Sequence, residues 1–96
     1  MKTNTTQPHA VFAYVHHNRR VAALVTLRST TDFALRTDLL ADFGKNLAMQ
    51  AAANGGLKPE DPWMLAPEAS TVGSMTEAIS RKLKEPVELA EVHVQG

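Results

Sequence analysis

A chain of 96 residues, 44% of them apolar and with ten basic side chains matched by ten acidic ones, is sized for a single hydrophobic core. Zero formal charge argues against a general nucleic-acid binder, which carries a basic excess or a basic face. It also removes long-range steering as a main source of affinity and gives no protection against self-association. With no cysteine in the chain, a disulfide framework and thiolate metal sites are excluded.

Residues 1–8, MKTNTTQP, are polar and rich in threonine and read as a flexible lead-in to a core domain over residues 9–96. The opening lacks the apolar stretch of a signal peptide. The longest apolar run of the segment that follows, Val21 to Val25, is far too short to span a bilayer. The expectation is a cytoplasmic protein that does not contact a membrane.

From His9 to His16 the residues alternate. Val11, Ala13 and Val15 point one way, and Phe12, Tyr14 and His16 the other. His17, Asn18 and Arg19 interrupt the pattern, with Asn18 the residue suited to the left-handed backbone of a tight turn. Val21 to Leu27, VAALVTL, is the return strand, apolar on both faces, and the two together predict a β-hairpin. Ser29, Thr30, Thr31 and Asp32 are all good helix caps, so a helix begins here, with Phe33 to Arg36 as a short first piece. Thr37 or Asp38 offers a second cap.

In the next helix Leu39, Leu40, Phe43, Leu47 and Ala51 fall at helical spacing, while Lys45, Asn46 and Gln50 occupy polar positions. Gly44 should weaken that helix by roughly 1 kcal/mol relative to alanine, and Asn54-Gly55-Gly56 ends it. Pro59, Pro62 and Pro67 make the connector non-helical and extended, with Trp63 as a core anchor inside it. Ser70 or Thr71 caps another helix, whose apolar face is Val72, Met75, Ala78, Ile79 and Leu83, and Pro86 stops it. Val87, Leu89, Val92 and Val94 alternate with polar residues in a final strand, Ala90 marking a slip or bulge. The fold expected is α+β: a small antiparallel three-stranded sheet, hairpin plus C-terminal strand, with the helices packed on one face.

Enzyme chemistry finds no support. The chain has no glycine-rich phosphate loop, nucleophile elbow or HExxH motif, so neither catalysis nor a cofactor is expected. His16 and His17 are adjacent, but with only His9 and His93 besides, a metal site lacks converging ligands. Read from the residues alone, Asp32 is a cap or first-turn residue, Phe33 belongs to the core, and Arg19 and Arg20 are solvated turn residues.

Two blocks nevertheless resemble the elongation factor Ts family. In Ala10 to Ala53, the residues Tyr14, His16, Arg20, Val21, Leu24 and Val25 follow the family's hairpin pattern, TTDFALR stands where the family reads ETDFVAR, and NLAMQAA resembles its LAMHIA helix end. In Asp61 to Gln95, DPWMLA, TVGSMTEAI and VELAEVHV are similar to its C-terminal stretch. Ser29 and Thr30 depart from the cysteine and glutamate that commonly precede the Thr-Asp-Phe motif. Relative to the family, the expectation is a minimal single-core form, without the N-terminal ubiquitin-associated-like domain and the helical insertion.

The resemblance implies a partner, the GTPase elongation factor Tu, and a role in translation elongation as a guanine nucleotide exchange factor. By it, Phe33 wedges between helices of the GTPase domain, Asp32 hydrogen-bonds one of them, and Thr31 and His16 are further contacts. A displaced magnesium site and faster GDP release would follow. The alternative is a non-catalytic module that sequesters or recruits the GTPase. Some single-core members of the family pair through their sheets, so a homodimer is also expected.

Overall fold

The alternating hairpin segment does form the first half of a sheet. A computed structural model describes residues 8–96. In it β1 (His9–Val15) and β2 (Ala22–Ser29) run antiparallel, with Ala13 opposite Leu24. β3 (Val87–Gln95) pairs antiparallel with the other edge of β2, giving the order β1-β2-β3. The strand that is apolar on both faces is thus the central one. Thr26 pairs with Glu91 and Leu27 with Leu89, so Ala90 is the extra residue of a bulge, at the position where the alternation slips. Of the lead-in expected over residues 1–8, all but Pro8 lies outside the described residues.

The hairpin turn differs from expectation in one residue. Arg19, not Asn18, takes the left-handed conformation, at φ 63°. The Asn18 side chain instead accepts a hydrogen bond from the Arg20 N–H at 2.9 Å. A short amide that bonds its own backbone two residues on builds the turn as well as a left-handed backbone does.

Three helices cover one face of the sheet. α1 (Asp32–Leu35) is a single turn, α2 (Asp38–Asn54) the long one, and α3 (Val72–Leu83) follows the connector. Thr37 caps α2 by accepting from the Leu40 N–H, and Gly55, left-handed at φ 73°, closes it. Thr71 and Ser74 form a reciprocal capping box at the start of α3. Beneath the helices Ala23, Val25 and Leu27 of β2 meet Leu40, Phe43, Leu47, Ala48 and Ala51 of α2 in one buried cluster, joined by Trp63, Val72, Ile79 and Val87. Trp63 packs on Phe43 with ring centroids 5.5 Å apart. No helix among the described residues is long and apolar enough to cross a membrane.

Two positions in α2 behave opposite to their local reading. Gly44 is buried where the helix crosses β1, and a Cβ there would overlap the ring of Phe12. The missing side chain weakens the isolated helix but admits a close approach to the sheet. Gln50, placed by spacing among the polar positions, is only 1% exposed. Its Nε2 donates to the Pro62 carbonyl at 2.8 Å and its Oε1 accepts from the Met64 N–H at 2.9 Å. It thereby fastens the backbone on both sides of Trp63 to α2. The connector itself is coiled into turns rather than extended. Asp61 N–H donates to Lys58 and Ala69 N–H to Ala66, each at 3.0 Å, with Pro59 and Pro67 at the second position of their turns. That is the position for which the fixed φ of proline is suited.

Gly44→Ala should therefore destabilise the protein by about 1–3 kcal/mol through overpacking, against the local gain that helix propensity alone predicts. Denaturant unfolding reads this, and the penalty should shrink when Phe12 is also changed to Val. Gln50→Leu should cost about 1–3 kcal/mol, because it removes two hydrogen bonds made by a buried amide and leaves the Pro62 carbonyl and the Met64 N–H without that partner. The same unfolding experiment would disprove this if the midpoint stayed put.

Candidate partner-binding site at the Phe33 tip

β2 delivers the chain to the rim of the core at Ser29, which is buried, and from there Thr30, Thr31, Asp32 and Phe33 are all exposed. Four residues are too few for a helix to hold itself together, so α1 depends on its anchors. Ala34, fully buried, plugs the single turn into the core, and Leu35 is half-buried. Thr37 Oγ1 donates to the Ala34 carbonyl at 2.9 Å and accepts from Leu40 N–H at 3.2 Å, tying α1 to the start of α2.

With Ala34 in the core position, Phe33 is turned outward. Its exposure is 74%, above that of Val11, Val15, Leu24 and Leu65, the other exposed large apolar residues described. The reading of Phe33 as a core residue is thereby corrected: one step along a helix rotates a side chain by about 100°, and Ala34 is the one that faces inward. Leaving a phenylalanine in water forgoes about 1.5–3 kcal/mol of burial. Asp32 is exposed beside it in the first turn of α1.

The other side of the tip is held from far away in sequence. One carboxylate, Glu85 in the turn between α3 and β3, accepts from four donors. Ser29 Oγ and Thr30 Oγ1 lie 3.0 Å from its Oε1, the Thr31 N–H lies 3.1 Å from the same oxygen, and Thr31 Oγ1 lies 2.6 Å from Oε2. Ser29 Oγ also lies 2.9 Å from the Pro86 carbonyl. The Thr31 hydroxyl above all, with those of Ser29 and Thr30 and the Thr31 N–H, lowers the Glu85 pKa, and partial burial opposes the shift. The net effect favours the ionised, hydrogen-bond-accepting form. Thr31 stands at the cap position of α1, yet its side chain makes no capping bond there.

The structure brings Thr31, Asp32 and Phe33 together at one end of the sheet and leaves His16 at the other. At about 3.3 Å per strand residue, the hairpin tip lies about 20 Å away. There His16 is half-buried, its Nδ1 is 3.1 Å from the Tyr14 hydroxyl, and its ring centroid is 4.2 Å from that of His17. No group of three or more His, Asp or Glu among the described residues is arranged to hold a metal ion. Sequence reasoning missed Glu85 altogether. A glutamate between a helix end and a proline carries no local signal of partners 54 to 56 residues away.

No family model matches the chain. It is similar to several proteins named elongation factor Ts. The one from Fervidobacterium nodosum is 30% identical over 95% of this chain and 46% of its own length. Those from Syntrophobacter fumaroxidans and Thermotoga maritima are 42% and 43% identical over 53% and 51% of this chain, and 26% and 25% of theirs. The chain thus spans less than half the length of these curated relatives. Similarity running through almost the whole chain, together with a Thr-Asp-Phe tip raised between a hairpin and a long helix, places this chain in the elongation factor Ts family.

Proposed function

We propose that this chain acts in translation elongation in the cytoplasm by binding elongation factor Tu through the Phe33 tip and promoting release of its GDP. The observation that carries the reading is the exposed Phe33, raised on an anchored single turn beside Asp32. A neutral protein gains little from steering, so affinity must come from burying apolar surface, and an exposed aromatic on a fixed frame suits an interface hot spot. A ring inserted between two helices of the GTPase shifts them because packed cores move between discrete arrangements. If the chain binds the nucleotide-free form more tightly, GDP affinity must fall by the same factor. Asp32 and Thr31 supply polar contacts next to the ring. His16, at the opposite end of the sheet, is a separate contact. No covalent step and no cofactor is needed.

A homodimer is the second element of the reading. On the face of the sheet away from the helices, Val11, Val15 and Leu24 are 54%, 63% and 46% exposed. Leu24 pairs with Ala13, and Val11 and Val15 lie diagonally to it across the strands. Two copies of this apolar patch pressed together would remove it from water.

Release of a fluorescent GDP analogue from elongation factor Tu tests the exchange reading. Acceleration by the chain is expected, and Phe33→Ala should weaken partner binding by about 30-fold or more, as for a hot spot, while leaving the melting temperature nearly unchanged. Binding without acceleration would identify a sequestering or recruiting module, and no binding would overturn the reading. Leu24→Glu should turn the dimer into a monomer by light scattering. A wild-type chain that stays monomeric at every concentration would refute the dimer.

A further inference from the structure

We infer that Glu85 is a positioning residue for the Phe33 tip: a latch from the C-terminal turn that sets the direction in which α1 presents its exposed ring. The inference rests on the proposed role of Phe33 and extends it to a residue with no place in the Thr-Asp-Phe motif.

Thr31 has two uses for its hydroxyl. It stands at the cap of α1 with extended backbone, φ −137° and ψ 157°, the geometry from which a threonine bonds back into its own first turn. It makes no such bond. It donates instead to Glu85 Oε2 at 2.6 Å, the shortest of the four contacts, while its N–H donates to Oε1 at 3.1 Å. Backbone and side chain of one residue are thus both committed to one distant carboxylate. Thr30 adds its hydroxyl to the same oxygen, and Ser29 shares its single proton between that oxygen and the Pro86 carbonyl, so the chain is held at three consecutive residues just before Asp32 and Phe33.

The grip is itself braced. Lys84 is left-handed at φ 60°, Glu85 N–H donates to the Ser80 carbonyl at 3.2 Å, and Val87 N–H donates to Ser80 Oγ at 2.9 Å. One strand register further, Arg28 Nη2 meets Glu88 Oε1 at 2.9 Å across β2 and β3. Glu85 therefore projects from a fixed turn onto a segment too short to orient itself. On the other side, Thr37 and Ala34 fix where α1 sits. Without the carboxylate, Thr31 becomes available to cap α1, and the turn can pivot about its buried alanine.

The test uses the whole chain with Glu85→Ala and Glu85→Gln, each also in the Phe33→Ala background. In the partner-free protein, amide hydrogen exchange at Thr31 should rise about tenfold or more in Glu85→Ala, with the exchange of β2 core amides unchanged. Unaltered exchange at Thr31 would overturn the latch. Affinity for elongation factor Tu should fall about fivefold to tenfold in Glu85→Ala and recover in part in Glu85→Gln, which keeps one accepting oxygen. In the Phe33→Ala background the same change should cost clearly less, about twofold, because the latch acts mainly through the ring and only the polar contacts of Thr31 and Asp32 remain to be misplaced. An equal loss in both backgrounds would show a contact or a general structural role and overturn the positioning role. Wild-type binding that is indifferent to Glu85 would refute this inference alone, whereas absence of wild-type binding would remove the functional reading beneath it.

Discussion

The close crossing of α2 over β1, where Gly44 meets the ring of Phe12, is the contact on which the rest of the arrangement depends. It sets how near the long helix lies to the sheet, and hence whether Leu40, Phe43 and Leu47 reach Val25 and Leu27 in one buried cluster. Interiors packed at crystal density transmit such a constraint instead of absorbing it. The cap of α2 at Thr37 also holds the end of α1, so the helix that rests on Phe12 carries the position of Phe33 with it. Gln50 extends the same scaffold to the connector by fastening the backbone on both sides of Trp63.

The tip combines opposing tendencies. A phenylalanine in water favours collapse onto the nearest apolar surface, and a four-residue helix favours melting. Both are resisted by attachments made elsewhere: the buried methyl of Ala34, the Thr37 bridge and the carboxylate of Glu85. Strong local order beneath an exposed aromatic lowers the ordering entropy that a partner complex must overcome. A mobile tip with the same residues would bind more weakly with the same contacts. The face of the sheet away from the helices presents a different surface, aliphatic around Leu24.

Much of the fold could be read along the chain because its signals are local. Alternation in His9 to Val15 and Val87 to Gln95, the cap residues Thr37 and Thr71, the stops at Gly55 and Pro86 and the slip at Ala90 each act through neighbours a few residues away. Most of the errors fall where the deciding partner is distant. Gln50 read as a surface residue because helical spacing cannot show that two backbone groups of a later connector lie above it. The prolines of that connector promised extension because their role in turns depends on how the chain is drawn back by Gln50 and by the pairing of Pro62 with Thr71. Asn18 and Arg19 exchanged roles because an amide can serve a turn through its side chain as well as its backbone.

The candidate site divides the same way. The sequence by itself determined that a Thr-Asp-Phe segment joins a hairpin to a helix, that its residues favour a helix start, and that the chain resembles a translation factor family. It left open whether Phe33 faced the core or the solvent, because residues 33 and 34 are both apolar and a single turn has no periodicity to read. Only the tertiary structure decided this. The space beneath α1 takes the methyl of Ala34, and Glu85 grips the approach through hydrogen bonds spanning more than fifty residues, so the ring is left to point outward.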